Sequence, residues 1–451
     1  GKFKVDPVLM PYFQLRMAAA ASTRSNDFIL SGFYMPPSRL SGEASFIKGR
    51  SKGLNELLKP FDDVAETNSF LLYVMAKRQK GLIDNNPKSF YKNINIDKHI
   101  VLSNTSKLIL ESINLWNQIS QHCTKIKNIH ISKKNIFGST LVKSQDENLE
   151  SLGYQIPIRE LLKIFHENIK NESSIEILYG SEVTVVEPGE EVKISFKHKS
   201  VMKEITTSSV IFATGAADNL VDSIFTEKIQ KDYQQNAFTC EIVSDKYNCE
   251  TAFERFTNLG ILGVIPRKEG NWTLIYSTNK EESEFIYNLD NKKVVNYFQK
   301  LLGEKCGKIR EVKNINIYPL KMKYHKSFTK DNICLLGDAA HTLHPIAAQS
   351  FNLSLRDCAY LTTIIKEGII NNRKFSKIFS EYHFKRIKEV ERLVKFTDTL
   401  ASFIHGDSTF KNNIISLSFL IMDTNKKLRV NIIRYLLGVN FSQSLISTLK
   451  E

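Results

Sequence analysis

No stretch of ~18 or more consecutive apolar residues occurs, so no segment has the length that a membrane-crossing helix needs. The longest candidate, Ile414 to Met422, is about half that length and carries Ser416 and Ser418. Six cysteines are scattered at Cys123, Cys240, Cys249, Cys306, Cys334 and Cys358. None forms a C-x-x-C pair or has a histidine at zinc spacing, which excludes a zinc ribbon and points to free thiols in a reducing compartment. Acids are outnumbered: 48 Asp and Glu stand against 62 Lys and Arg, a formal net charge of +14. The lysines are dispersed and no segment interleaves Arg with aromatics, so a nucleic-acid surface is not expected.

What remains is an ordinary globular composition, 42% hydrophobic and 24% charged, which excludes disorder. At 451 residues the chain predicts two or three subdomains. Residues 7–26 contain no acid, two arginines (Arg16 and Arg24) and the run Ala18 to Ala21. That composition suits either an organellar presequence or a plain helix. Up to residue 80, loop signals such as Pro36-Pro37, Ser41-Gly42 and Gly49-Arg50-Ser51 interrupt any periodicity.

From Gly81 the pattern sharpens. Gly81-Leu82-Ile83-Asp84 reads as a buried strand closing on an acid. Ser106 to Ile119 and Ile158 to Ile169 have helical apolar spacing. Strands are expected at Ile175 to Leu178, Val183 to Val186, Val192 to Phe196 and Ser209 to Thr214. Phe253 to Phe256, Ile261 to Ile265 and Trp272 to Tyr276, separated by Gly/Asn turns, predict an antiparallel meander. Asn291 is read as the cap of a helix ended by Gly303, and Ile315 to Leu320 as a returning strand.

The chemistry concentrates after Ile333-Cys334-Leu335-Leu336, a short buried strand that stops at Gly337-Asp338. Glycine permits a tight turn at a strand's carboxyl end, where open α/β sheets bind ligands. Asp338 offers a carboxylate to sugar-like hydroxyls. The helix expected to begin near Ser350 presents free N–H groups and its positive dipole end, a natural anion site. His341 and His344 have no carboxylate or thiol spaced to complete a metal site, so no metal is expected. His341 is read as ordering the loop.

The string GDAAHTLHPIAAQSFNLSLRDCAYL, Gly337 to Leu361, resembles the Gly-Asp flavin motif of the FAD-dependent hydroxylases of ubiquinone biosynthesis, which are class A flavoprotein monooxygenases. The resemblance extends over residues 81–440. It implies that Gly337 and Asp338 contact the ribityl chain and that Pro345 lies beside the isoalloxazine. The backbone from Ala348 and Gln349 through Ser350, Phe351 and Asn352 would meet the pyrimidine edge. Gly81 to Asp84 resembles the family's second strand, whose acid binds the adenosine ribose, which maps to Asp84. Tyr154 to Arg159 resembles the segment whose arginine approaches the flavin, which maps to Arg159. Phe253-Glu254-Arg255-Phe256 and Tyr318-Pro319-Leu320 resemble strands of the substrate domain.

The implied fold is α/β, a Rossmann-type FAD-binding domain like that of p-hydroxybenzoate hydroxylase, with an inserted antiparallel β-sheet substrate domain and C-terminal helices. The expected division is residues 1–80 unassigned, 81–225 and 326–395 FAD-binding, 226–325 β-rich, and 396–451 helical. The implied activity is hydroxylation of a polyprenylated phenol with FAD, NAD(P)H and O2. A non-catalytic partner in a quinone-synthesis complex is the alternative. The implied location is the cytoplasm at the inner membrane's edge, or the mitochondrial matrix side. Three features depart from the family. The opening G-x-G-x-x-G turn that holds the FAD pyrophosphate is absent. Ala213-Thr214-Gly215 stands where the family has Asp-Gly, and Ala348 and Ser350 stand where it has loop glycines.

Overall fold

The computed structural model describes residues 30–35, 80–91, 94, 98–134, 138–170, 175–215, 219–246, 249–344 and 349–404. Alternating and continuous apolar runs there sort into four sheets. The first has six strands in the order β18 (Thr329–Lys330), β19 (Ile333–Leu335), β12 (Ser209–Ala213), β1 (Leu30–Met35), β2 (Lys80–Asp84) and β8 (Ile175–Tyr179). All residues of β12 and β19 are buried, as expected of strands covered on both faces, and the two run parallel. β2 and β8 are also parallel.

β1 differs. It runs antiparallel to both neighbours, with Leu30 opposite Ala213 and Asp84. At the edge where β2 and β12 end, the chain therefore enters β1 instead of leaving it. A G-x-G-x-x-G turn needs a strand that leaves at this edge and feeds a helix. The reversed direction of β1 and the missing motif agree. β1 itself, LSGFYM, was not anticipated, since six residues among loop signals carry no usable period.

The largest sheet has eight strands: β20 (His341–Thr342), β17 (Ile309–His325), β13 (Lys228–Ser244), β16 (Asn271–Asn279), β15 (Gly260–Pro266), β14 (Thr251–Phe256), β5 (Asn128–Lys133) and β6 (Ser139–Lys143). The expected meander is its β16-β15-β14 stretch, and β13, which was not anticipated, extends it beyond β16. β5, from an earlier part of the chain, joins β14 in parallel. One face of this sheet (Phe238, Cys240, Phe253, Leu262, Leu274, Tyr276) packs under α5 (Lys280–Tyr287) and α6 (Asn291–Leu302) through Ile286, Val294 and Phe298. Each fully buried side chain of this kind contributes roughly 1.5–3 kcal/mol. The cap of α6 is Asp290, whose carboxylate accepts from the Lys293 amide at 2.9 Å. Asn291, read as that cap, is instead the first helical residue and donates to the Val312 carbonyl.

Two three-stranded sheets complete the strands: β9 (Ser181–Glu187) with β10 (Val192–His198) and β11 (Val201–Thr207), and β3 (His99–Ser103) with β7 (Gly153–Pro157) and β4 (Thr124–Ile126). The single helix expected over 106–119 is two, α1 (Asn104–Ser112) and α2 (Trp116–Ser120), because Asn114 takes a left-handed φ of 58°. Short α4 (Asn219–Ile224) follows the β12 edge, and α3 (Ile158–Lys170) follows β7. Helix α7 (Gln349–Ile370) runs through the main core, with Phe351, Leu353, Leu355, Cys358, Leu361 and Ile364 buried. α8 (Phe375–Ile404) covers it. None of the described helices is long and apolar enough to cross a membrane.

Candidate functional site

The chain leaves β19 into the turn Gly337–Ala339, at the same sheet edge where β12 ends. Gly337 adopts a φ of 63°, a conformation that costs other residues about 1 kcal/mol or more, so glycine at this turn has a backbone reason. Asp338 is buried, and one carboxylate oxygen accepts from Ser350 Oγ at 3.0 Å. That bond ties the strand-end acid to the first turn of α7, so acid and helix start form one unit. Pro345 and Ala348 lie outside the described residues, and of Gln349 only the backbone, the first residue of α7, is described.

Asn352 sits one turn into α7. Its side-chain oxygen accepts from the Ser103 amide at 2.8 Å and from Ser106 Oγ at 2.7 Å, and its amide nitrogen donates to the Val101 carbonyl at 2.9 Å. The side chain thus bolts α7 to the β3–α1 junction, and a role toward a ligand is left to its backbone. Phe351 faces the core.

Behind the turn lies a buried charge network. His341 Nε2 is 2.6 Å from Asp357 Oδ2, and Arg386 Nε donates to Asp357 Oδ1 at 2.6 Å. Arg386 also donates to Glu389, which accepts from Arg356 Nε at 3.0 Å. Burial alone would push the Asp357 carboxyl up, but Arg386 and His341 outweigh it and hold the group below its ordinary range. For Glu389 the same balance falls the same way, through Arg386 and Arg356. The expectation that His341 orders the loop matches these contacts.

Two other expected residues stand elsewhere. Asp84 does close β2 at the ligand edge, but its carboxylate is fully buried. It accepts from the Asn86 amide at 3.0 Å and from Tyr91 Oη at 2.7 Å. Tyr91 in turn stacks on His166, 4.3 Å between ring centroids, and His166 shares a 2.8 Å bond with Tyr179 Oη. Arg159 lies half-exposed in the first turn of α3 and pairs with its neighbour Glu160 at 3.1 Å. The structure does not bring it into hydrogen-bond contact with the Gly337–Asn352 segment among the described residues.

Thr214, directly after β12 in the Ala213-Thr214-Gly215 turn, was not expected as a site residue. Its hydroxyl is buried and has no hydrogen-bond partner among the described residues. An unsatisfied buried hydroxyl costs roughly 1–3 kcal/mol, which a bound polar group would relieve. With the Gly337 turn, Asp338 and the start of α7, it makes a polar edge that fits the ribityl and ring end of a flavin. The adenosine end fits less well, since Asp84 is enclosed by Tyr91 and Asn86 and β1 runs the wrong way for a phosphate-binding turn.

Residues 95–397 match the family described as FAD binding domain, two thirds of the chain. The chain belongs to that family. It is 24% identical over 305 residues to the ubiquinone hydroxylase UbiM of Neisseria meningitidis, covering 64% of this chain and 63% of that protein. It is 20% identical over 407 residues to the mitochondrial ubiquinone biosynthesis monooxygenase COQ6 of Dictyostelium discoideum, covering 77% and 81%. Among solved structures, p-nitrophenol 4-monooxygenase PnpA of Pseudomonas putida superposes with a TM-score of 0.65 at 12% identity, over 79% of this chain and 91% of that one. The kinship and α/β flavoprotein fold implied by the Gly-Asp string are borne out, and so is the class, an FAD-dependent monooxygenase.

Proposed function

We propose that this chain hydroxylates the aromatic ring of a polyprenylated phenol in ubiquinone biosynthesis, with NAD(P)H as reductant and O2 as oxidant. The observation that carries the reading is the union of the Gly337 turn, the buried Asp338 and the first turn of α7 through Ser350. In this reading FAD, when bound, supplies the redox and oxygen chemistry. The protein's residues position it and keep water out. Asp338 and Thr214 accept and donate hydrogen bonds along the ribityl chain, beside Gly337. By the family resemblance Pro345 would lie beside the ring, and the backbone from Ala348 and Gln349 through Ser350, Phe351 and Asn352 would meet its pyrimidine edge. There the helix dipole favours the electron-rich reduced state. Asp84 and Arg159 have lesser parts, because each is already paired.

The proposed division follows: a FAD-binding unit from 81–225 and 326–395, a β-rich substrate unit from 226–325 to which β5 and β6 add, helices over 396–451, and residues 1–80 outside the family pattern. A greasy phenol suits an enzyme working at a membrane surface, where the +14 net charge favours anionic lipid. The reading is tested by loading the purified chain with FAD and supplying a prenylated phenol, NAD(P)H and O2. A flavin absorption band and a hydroxylated product are expected. No flavin and no product would exclude it.

A further inference from the structure

The large sheet has two unlike faces. One is sealed by α5 and α6, as described. On the other, Ile131, Glu254, Gly263, Ile275 and Thr239 lie side by side across β5, β14, β15, β16 and β13, and every one of them keeps a partly accessible surface. Two residues apart along β13, the same face carries Ala237 and Gln235, and His344 of the Gly-Asp segment lies 3.4 Å from Gln235. Through His344 this face borders the Gly-Asp segment, and among the described residues the row across it keeps accessible surface.

Glu254 is the one acid in that row. Its carboxylate lies over Gly263, where a side chain is missing: a Cβ built there would meet Glu254 Oε2 at 3.6 Å and the Ile275 carbonyl at 3.8 Å. In this row the apolar Ile131 and Ile275 thus stand on either side of a single carboxylate. We infer that Glu254 contacts the phenol hydroxyl of the substrate and accepts its proton. This rests on the proposed hydroxylase function and names the group that activates the ring.

The step balances within the site. The phenol O–H bond breaks, its proton forms a new O–H bond on Glu254, and the electron pair stays on the phenol oxygen. From there it raises electron density on the ring carbons ortho and para to it. The other charged groups of this face are already paired or lie along the strands. Glu241 is held by Arg267 at 2.9 Å, and Lys133 stands beside Phe256. From the sheet packed against it, Gln155 donates to Thr273 at 2.7 Å, and Lys125 is held by Glu150 at 2.6 Å. Arg255 and Lys305 lie on the far side. Burial, with no charged neighbour contributing, pushes the Glu254 carboxyl up to about 7. That brings the acceptor closer to a phenol, whose ordinary value is about 10, and proton transfer is easier between matched groups.

The test uses FAD-loaded protein, a 2-prenylphenol and its methyl ether, which has no proton to give. Wild type is expected to bind the phenol at least tenfold more tightly than the ether at pH 8, with the preference fading as pH falls through about 7. Glu254→Gln is expected to retain FAD, lose that preference to within about threefold, and lose the matching limb of the kcat profile. Glu254→Asp is expected to restore the limb at a reduced rate. If Glu254→Gln keeps both the preference and the limb, the assignment is overturned while the hydroxylase reading stands. If wild type binds FAD but neither ligand, both are overturned together.

Discussion

His341 Nε2 lies 2.6 Å from Asp357 Oδ2, with both side chains wholly buried, so the Gly-Asp loop is fastened to the middle of α7 by an ionisable pair. Arg386 of α8 holds the other Asp357 oxygen and Glu389 as well. Removing one partner from such a network leaves a buried charge uncompensated, at roughly 3–5 kcal/mol. Arg386→Met is therefore expected to lower unfolding free energy by about that much in a denaturant titration. A loss under about 1 kcal/mol would mean the network contributes little.

Acid should weaken the fold in two stages. His325 is fully buried, and burial together with nearby Lys323 lowers its pKa to about 4. The unfolded chain binds that proton near 6.5, so this stability is present above 6.5 and is lost as pH falls toward 4. Asp357 and Glu389, held below their ordinary range, keep their contribution above about 4 and lose it at lower pH. Thermal unfolding of His325→Gln should show a flatter slope between pH 6.5 and 4.5 than wild type, with the steeper loss at lower pH unchanged.

Thr214 offers a cleaner separation of ligand binding from folding. Its hydroxyl has no partner among the described residues, so Thr214→Val removes an unsatisfied group from the apo-protein. Apo thermal stability is expected to stay level or rise, while FAD affinity falls about fivefold, the loss of one hydrogen bond of ~1 kcal/mol. Parallel melting and flavin-fluorescence titrations report both. A drop in apo stability without a change in affinity would assign Thr214 to the scaffold alone.

The enclosure of Asp84 by Tyr91 and Asn86 implies that the adenosine half of the cofactor adds little. FAD and FMN are expected to bind within about tenfold of each other, a difference of ~1.4 kcal/mol. Competition between the two for the same protein measures the ratio directly. A preference for FAD beyond a hundredfold would show that Asp84 opens to the ribose.

Much of this was legible in the sequence because it rests on short-range patterns. The run Ile333 to Leu336 ending at Gly337 marks a strand and its turn, and the spacing of Phe351, Leu355 and Cys358 marks the buried face of α7. Less visible were features fixed by distant partners. Asn114 splits a helix that apolar spacing runs together, and Asp84 meets Tyr91 only after the following loop closes. Thr214 and Glu254 lie in segments the sequence marked, but only burial, and the missing side chain at Gly263, single out these two side chains. β1 was invisible because its antiparallel place is set by β2 and β12, not by its own six residues.

The most direct test is an FAD titration of wild type against Asp338→Ala, followed by quenching of flavin fluorescence. Saturable one-to-one binding is expected for wild type, with affinity at least tenfold weaker in the variant and the far-UV spectrum unchanged. Equal affinity in both proteins, or no saturable binding in wild type, would contradict the claim that the strand-end acid and the start of α7 hold the flavin.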